Sequence, residues 1–202
     1  MSTESILFVN KQISKDVLII VFSGRQQGLA NLNIFEFRNF LESNFPNIDK
    51  CYLKDEKLSW YTKGITGIST DISSTLDFFK SLHYKSIVMI GASMGGYGAL
   101  LYGSILGVDK IIAFRPQTHL DIINKEYSTS SDNIDINNVL NNKTKYYIYG
   151  DSSITDNNDI HSIEYCNRIH KQDNIIINRI NDFDIKLYKD EGNLLRDLKF
   201  II

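Results

Sequence analysis
A chain of 202 residues, 43% hydrophobic and 23% charged, has the size and composition of one globular domain around one core. Its formal net charge of -2, with no basic run, argues against nucleic acid and anionic membrane as partners. Only two cysteines, Cys51 and Cys166, are present and far apart, which argues against a disulfide framework or a metal-binding spacing and suits a reducing, cytoplasmic location.

Met1-Ser2-Thr3-Glu4-Ser5 lacks the basic and apolar regions of a signal peptide. No apolar run approaches the roughly 20 residues that cross a bilayer, so membrane insertion is not expected. Ile6 to Val9 is a weak strand candidate. Val17-Leu-Ile-Ile-Val-Phe22 is a strong one, being wholly apolar and closed by Ser23-Gly24. Phe35, Phe37, Phe40 and Leu41 form a bulky helical stripe that stops at Phe45-Pro46, and Cys51 to Leu53 is a second weak strand. Ile72, Leu76, Phe79 and Leu82 recur at helical spacing behind Ser69 and Thr70, which are expected to cap the helix. Ser86-Ile-Val-Met-Ile90 is another buried strand, and Tyr97 to Leu106 a helix ending at Gly107. Lys110 to Phe114 and Lys145 to Tyr149 are further strands, and Ile163, Cys166 and Ile169 mark one more helix.

Short, fully apolar strands alternating with helices predict an α/β domain with a mostly parallel central sheet in a three-layer arrangement. The whole chain, 1–202, reads as one such domain. The polar stretch around 117–142, rich in Asn, Ser and Asp, is expected to be a lid-like insertion at the sheet edge, since structureless loops longer than about 15 residues are usually functional or disordered.

The chemistry centres on Gly91-Ala92-Ser93-Met94-Gly95. A GxSxG between a buried strand and a helix is the nucleophile elbow, in which the serine projects above the sheet beside the helix N-terminus. The Met94 amide is then an oxyanion donor, and its partner is expected in the earlier turn at Gly24 or Arg25. Neither GxxxxGK[ST] nor GxGxxG is present, so the loop is not read as a phosphate cradle. No cofactor and no metal are called for.

The run from Ile90 to Gly103 (Ile-Gly-Ala-Ser-Met-Gly-Gly-Tyr-Gly-Ala-Leu-Leu-Tyr-Gly) resembles a bacterial branch of the α/β-hydrolase superfamily. Ala113-Phe-Arg-Pro-Gln-Thr118 and Trp60-Tyr-Thr-Lys-Gly-Ile65 are similar to motifs of the same branch, and the resemblance covers about residues 17 to 118. It implies the α/β-hydrolase fold and a link to surface polysaccharide or glycosyltransferase functions.

A serine nucleophile needs a base and an acid to orient it, in the chain order serine, acid, histidine. The acid is expected after the strand ending at Gly150, where Asp156 and Asp159 are the candidates and Asp151 is read as a turn cap. The resemblance implies a histidine after the last strand and just before the C-terminal helix, at the junction Tyr188 to Leu198. Gly192 and Asn193 stand there, and no histidine follows His170. Of His83, His119, His161 and His170, His119 is the candidate base, because it follows Arg115-Pro116-Gln117-Thr118 at the sheet edge. Arg115 is a candidate for binding an anionic substrate group, with a surface ion pair as the alternative.

Two functions follow. One is a serine-dependent ester hydrolase or O-acyl transferase; here the resemblance points to an acylated carbohydrate. The other is a degenerate hydrolase fold kept as a binding or scaffold protein. The intact elbow favours the first, the missing C-terminal histidine the second. The sequence fixes no oligomeric state.

Overall fold
The computed structural model describes residues 5–10, 15–25, 35–120, 134–157, 159–169 and 172–202. Among these residues seven strands form one sheet: β1 (Ile6–Val9), β2 (Val17–Phe22), β3 (Asp49–Leu53), β4 (Ser86–Ala92), β5 (Lys110–Phe114), β6 (Lys145–Asp151) and β7 (Ile175–Ile180). Their order is β1-β3-β2-β4-β5-β6-β7, so β4 lies at the centre. Every neighbouring pair is parallel except β1 with β3. The helices are α1 (Arg38–Asn44), α2 (Ile72–Lys80), α3 (Met94–Leu106), the short α4 (Glu164–Asn167), α5 (Ile185–Asp190) and α6 (Asn193–Ile201).

The unbroken apolar runs follow from a sheet covered on both faces. Along β2, Leu18, Ile20 and Phe22 join the core that also holds Phe79 and Tyr102 of α2 and α3, while Ile19 and Val21 join the core with Leu41 of α1 and Leu198 of α6. On β4, Met89 goes to the first core, and Val88 and Ile90 to the second. Burying each such side chain stabilises the fold by about 1.5–3 kcal/mol.

Three local expectations are corrected. Helix α2 is capped by Asp71, whose side chain accepts from the Ser74 amide, and not by Ser69 or Thr70. The Ser69 hydroxyl instead sits buried at 2.6 Å from that of Thr75. The junction Tyr188 to Leu198 does not follow a strand but joins α5 to α6, with Gly192 at φ 80 between them. The last strand ends at Ile180, and Asn181 to Asp184 lead into α5. Strand β7, absent from the expected set, is an edge strand whose residues are half-buried or exposed, none fully buried.

Of the stretch around 117–142, residues 121–133 lie outside the described residues. Its flanks are packed: Gln117, Thr118, Leu120 and Ile136 are buried, and the Ile136 amide donates to the Thr118 carbonyl at 3.2 Å. Among the described residues no helix is long and apolar enough to cross a membrane.

Candidate active site
Strand β4 ends at Ala92 and helix α3 begins at Met94, leaving Ser93 between them at φ 53, ψ -118. A non-glycine residue in that region is strained and persists only where its surroundings enforce it. Here the Ser93 amide donates to the Phe114 carbonyl at 2.9 Å, and the Tyr97 amide donates to the Ser93 carbonyl at 3.1 Å. The elbow glycines allow this close approach. A Cβ on Gly91 would stand 2.1 Å from the Gly95 carbonyl oxygen, and one on Gly95 would stand 2.0 Å from that of Phe22.

The Ser93 hydroxyl meets an imidazole. Its Oγ lies 3.0 Å from Nε2 of His161, which stands on the loop between β6 and α4. That loop folds back on itself. The Ile163 amide donates to the Ile154 carbonyl at 2.9 Å, Ser162 amide to Asp159 carbonyl at 3.0 Å, and Asp159 amide to Asp156 carbonyl at 3.0 Å. Ile163 closes against Gly150, where a Cβ would stand 2.4 Å from its Cδ1. The histidine is thus carried on a braced loop.

Asp159 stands two residues before this histidine. Its Oδ1 accepts the His161 amide at 2.8 Å, while the ring Nδ1 stands 3.9 Å from that oxygen, beyond a direct hydrogen bond. Asp156 is exposed, and its carbonyl accepts the Asp159 amide that closes the turn. Asp151 is committed elsewhere: Oδ2 accepts the Phe183 amide at 2.9 Å, and Oδ1 accepts from the Ser153 amide and hydroxyl at 2.9 and 2.6 Å. Burial, and then the charge of Arg115, push the His161 pKa below its ordinary value, with Asp159 opposing.

His119 lies elsewhere. Its Nδ1 is 3.6 Å from Asp135 Oδ2, which also pairs with Arg168 at 2.8 Å. The structure therefore brings His161, not His119, to the serine. The signal that could have found it was proximity in sequence: Asp159 and His161 preserve the order serine, acid, histidine on a single loop. His83 is exposed, and His170 lies outside the described residues.

The turn after β2 faces the elbow from the other side. The Gly24 amide donates to Glu36 Oε2 at 2.9 Å, so this expected oxyanion donor already has an acceptor. A Cβ on Gly24 would stand 2.9 Å from the Ala92 carbonyl oxygen, which shows how closely the turn approaches the elbow. Arg25 is the next residue of that turn. Burial raises the Glu36 pKa, opposed by the Gly24 bond. Tyr61 braces the same turn, its buried hydroxyl donating to the Ser23 carbonyl at 2.8 Å, while Trp60 Nε1 donates to the buried Gln117 side chain beyond β5. A cavity of about 480 Å³ adjoins Ala92 between α1 and α5, lined by Phe37, Phe40, Ile185, Leu194, Glu36 and Lys186 among others.

Arg115, half-buried, follows β5 at φ 42, its amide donating to the Tyr149 carbonyl at 2.6 Å. Its guanidinium carbon stands 5.9 Å from the centre of the Phe183 ring.

No family model matches the sequence, and no curated protein matches it either. Solved structures do. The capsule O-acetyltransferase of Neisseria meningitidis serogroup A is similar over 95% of this chain and 91% of its own, with a TM-score of 0.66 and 18% identity. An α/β hydrolase enzyme from the metagenome of Mar Chica lagoon sediments is similar over 96% and 94%, with a TM-score of 0.54 and 15% identity. An esterase of Pyrococcus furiosus is similar over 92% and 80%, with a TM-score of 0.57 and 14% identity. At such identities the likeness is one of fold.

Proposed function
We propose that this chain, which has the α/β-hydrolase fold, is a serine-dependent ester hydrolase or O-acyl transferase acting through Ser93 and His161. One observation carries the reading: the strained elbow serine holds its Oγ 3.0 Å from an imidazole nitrogen. In the reaction, His161 Nε2 accepts the Ser93 proton as Oγ bonds to the ester carbonyl carbon. The Met94 amide, at the start of α3, faces the oxyanion, with the second donor coming from Arg25, since Glu36 already takes the Gly24 amide. The bond to the alcohol oxygen then breaks, and the alcohol leaves with the proton from His161. Water, or a hydroxyl of an acceptor, gives its proton to His161 and attacks the acyl carbon; the bond to Ser93 Oγ then breaks as His161 returns the proton to that oxygen, freeing Ser93. Asp159 supports the base by fixing the turn that carries it.

An acylated carbohydrate as substrate or acceptor is supported by the motif resemblance and by the fold likeness to a capsule O-acetyltransferase. The test is release of acetate from phenyl acetate and from an O-acetylated oligosaccharide by the wild-type chain and Ser93→Ala. Turnover that Ser93→Ala abolishes supports the proposal; turnover unchanged by it refutes the serine mechanism. The second reading, a binding protein on a degenerate fold, draws on the 3.9 Å gap between Asp159 and the His161 ring, which leaves the imidazole weakly oriented. Saccharide binding without any turnover would favour it.

A further inference from the structure
We infer that the substrate of this site carries an oxyanion, a carboxylate or a phosphate, which docks on Arg115 beside the Ser93–His161 pair. The inference rests on the ester-cleaving reading above and names the substrate class. The guanidinium is half-buried, yet among the described residues it forms no ion pair or hydrogen bond with a carboxylate, whereas Arg38, Arg168 and Arg196 each pair with one. Two carboxylates lie near enough for its charge to reach them, Asp151 and Asp184. Both are already used: Asp151 by Phe183 and Ser153, and Asp184 by the Lys186 and Leu187 amides at the start of α5. Among the described residues Arg115 therefore presents a planar fork of donors with no protein acceptor, resting on the Phe183 ring.

Its placement is fixed by the elbow. A Cβ on Gly96, in the first turn of α3, would stand 3.0 Å from Pro116 Cβ, so the Arg115-Pro116 turn packs directly on the helix that Ser93 opens. The left-handed backbone of Arg115 is held by the bond from its amide to the Tyr149 carbonyl. Strain of this kind at a charged residue, beside a nucleophile, is what a positioned binding group requires. The charges facing His161 are Arg115 and Asp159, and Arg115 disfavours the imidazolium. An anion on Arg115 cancels that effect, so docking also makes His161 a stronger base.

Two measurements test this. The first compares phenyl acetate, 4-acetoxybenzoate and 4-acetoxyphenyl phosphate in wild type, Arg115→Gln and Arg115→Lys. The ratio of kcat/KM, charged over neutral, is expected to be at least about tenfold in wild type, the scale of a charge-assisted hydrogen bond. It should fall towards one in Arg115→Gln and be partly restored in Arg115→Lys. Which charged ester is preferred separates carboxylate from phosphate. The second needs no turnover: the His161 ring is titrated by NMR with and without inorganic phosphate or acetate. A rise of its pKa in wild type that Arg115→Gln removes supports the proposal. A charged-to-neutral ratio unaffected by Arg115→Gln, or a His161 titration indifferent to both anions, overturns it. Loss of turnover in every form would count against the esterase reading instead, while the titration still decides the anion site.

Discussion
Ser93 and His161, 68 residues apart in sequence, face each other at 3.0 Å because the elbow after β4 and the loop after β6 open at the same edge of the sheet. The imidazole facing Ser93 thus comes from the loop where sequence reasoning expects only the acid. Asp159, two residues before it, shares its turn.

Activity should persist below the ordinary histidine range. Burial and Arg115 lower the His161 pKa beneath 6.5, so the neutral, proton-accepting form survives to lower pH. The acid limb of kcat/KM is expected to fall through a midpoint under 6.5, and Arg115→Gln should move it upward. Stability linked to this group runs the same way: present above 6.5 and lost as pH falls through the lowered value. A midpoint at or above 6.5 in wild type contradicts the assignment of the base.

Asp159→Asn should cost little. The side chain is exposed, its contact with the ring is long, and asparagine keeps an oxygen to accept the His161 amide. A fall in kcat of about tenfold or less is expected, against about 10²–10⁴-fold for His161→Ala. Equal losses for the two variants would show that Asp159 orients the ring directly.

Gly95→Ala should destabilise the fold and not merely the site. The new methyl would meet the Phe22 carbonyl oxygen at 2.0 Å, a backbone contact that has no room to relax. Urea unfolding is expected to show a loss of about 3 kcal/mol. Gly107→Ala, at φ 65 in open space, should lose only about 1 kcal/mol.

Glu36 is expected to act as a positioning residue through Gly24. Glu36→Ala removes the acceptor that holds the turn opposite the elbow, and kcat should drop about tenfold with KM little changed. Glu36→Gln keeps an acceptor oxygen and should recover most of the rate. Parallel losses in kcat and thermal stability for both variants would mark the contact as structural only.

The central sheet was legible because β2, β4 and β5 carry apolar residues on both faces, a pattern only strands covered on both sides show. The elbow was legible because its glycines answer to backbone contacts fixed by the strand-to-helix turn. What the sequence hid depends on tertiary closure. His161 sits in a polar run without periodicity, and only the folding of Ile163 onto Gly150 and Ile154 carries its ring to Ser93. Strand β7 was hidden for a related reason: at the sheet edge, its Asn178 and Arg179 interrupt the apolar run. Arg115 was visible as a charge after a strand, but not as one that pairs with no carboxylate among the described residues.

The account turns on whether His161 activates Ser93, and covalent labelling by a fluorophosphonate probe measures that directly. Wild type should label at a single site, and Ser93→Ala should abolish the signal. His161→Ala should slow labelling by about 10²-fold or more, because nucleophile and base act as one unit. His119→Ala, which disturbs a residue held beside Asp135, should label at close to the wild-type rate. Wild-type labelling in His161→Ala, or its loss in His119→Ala alone, would contradict the account.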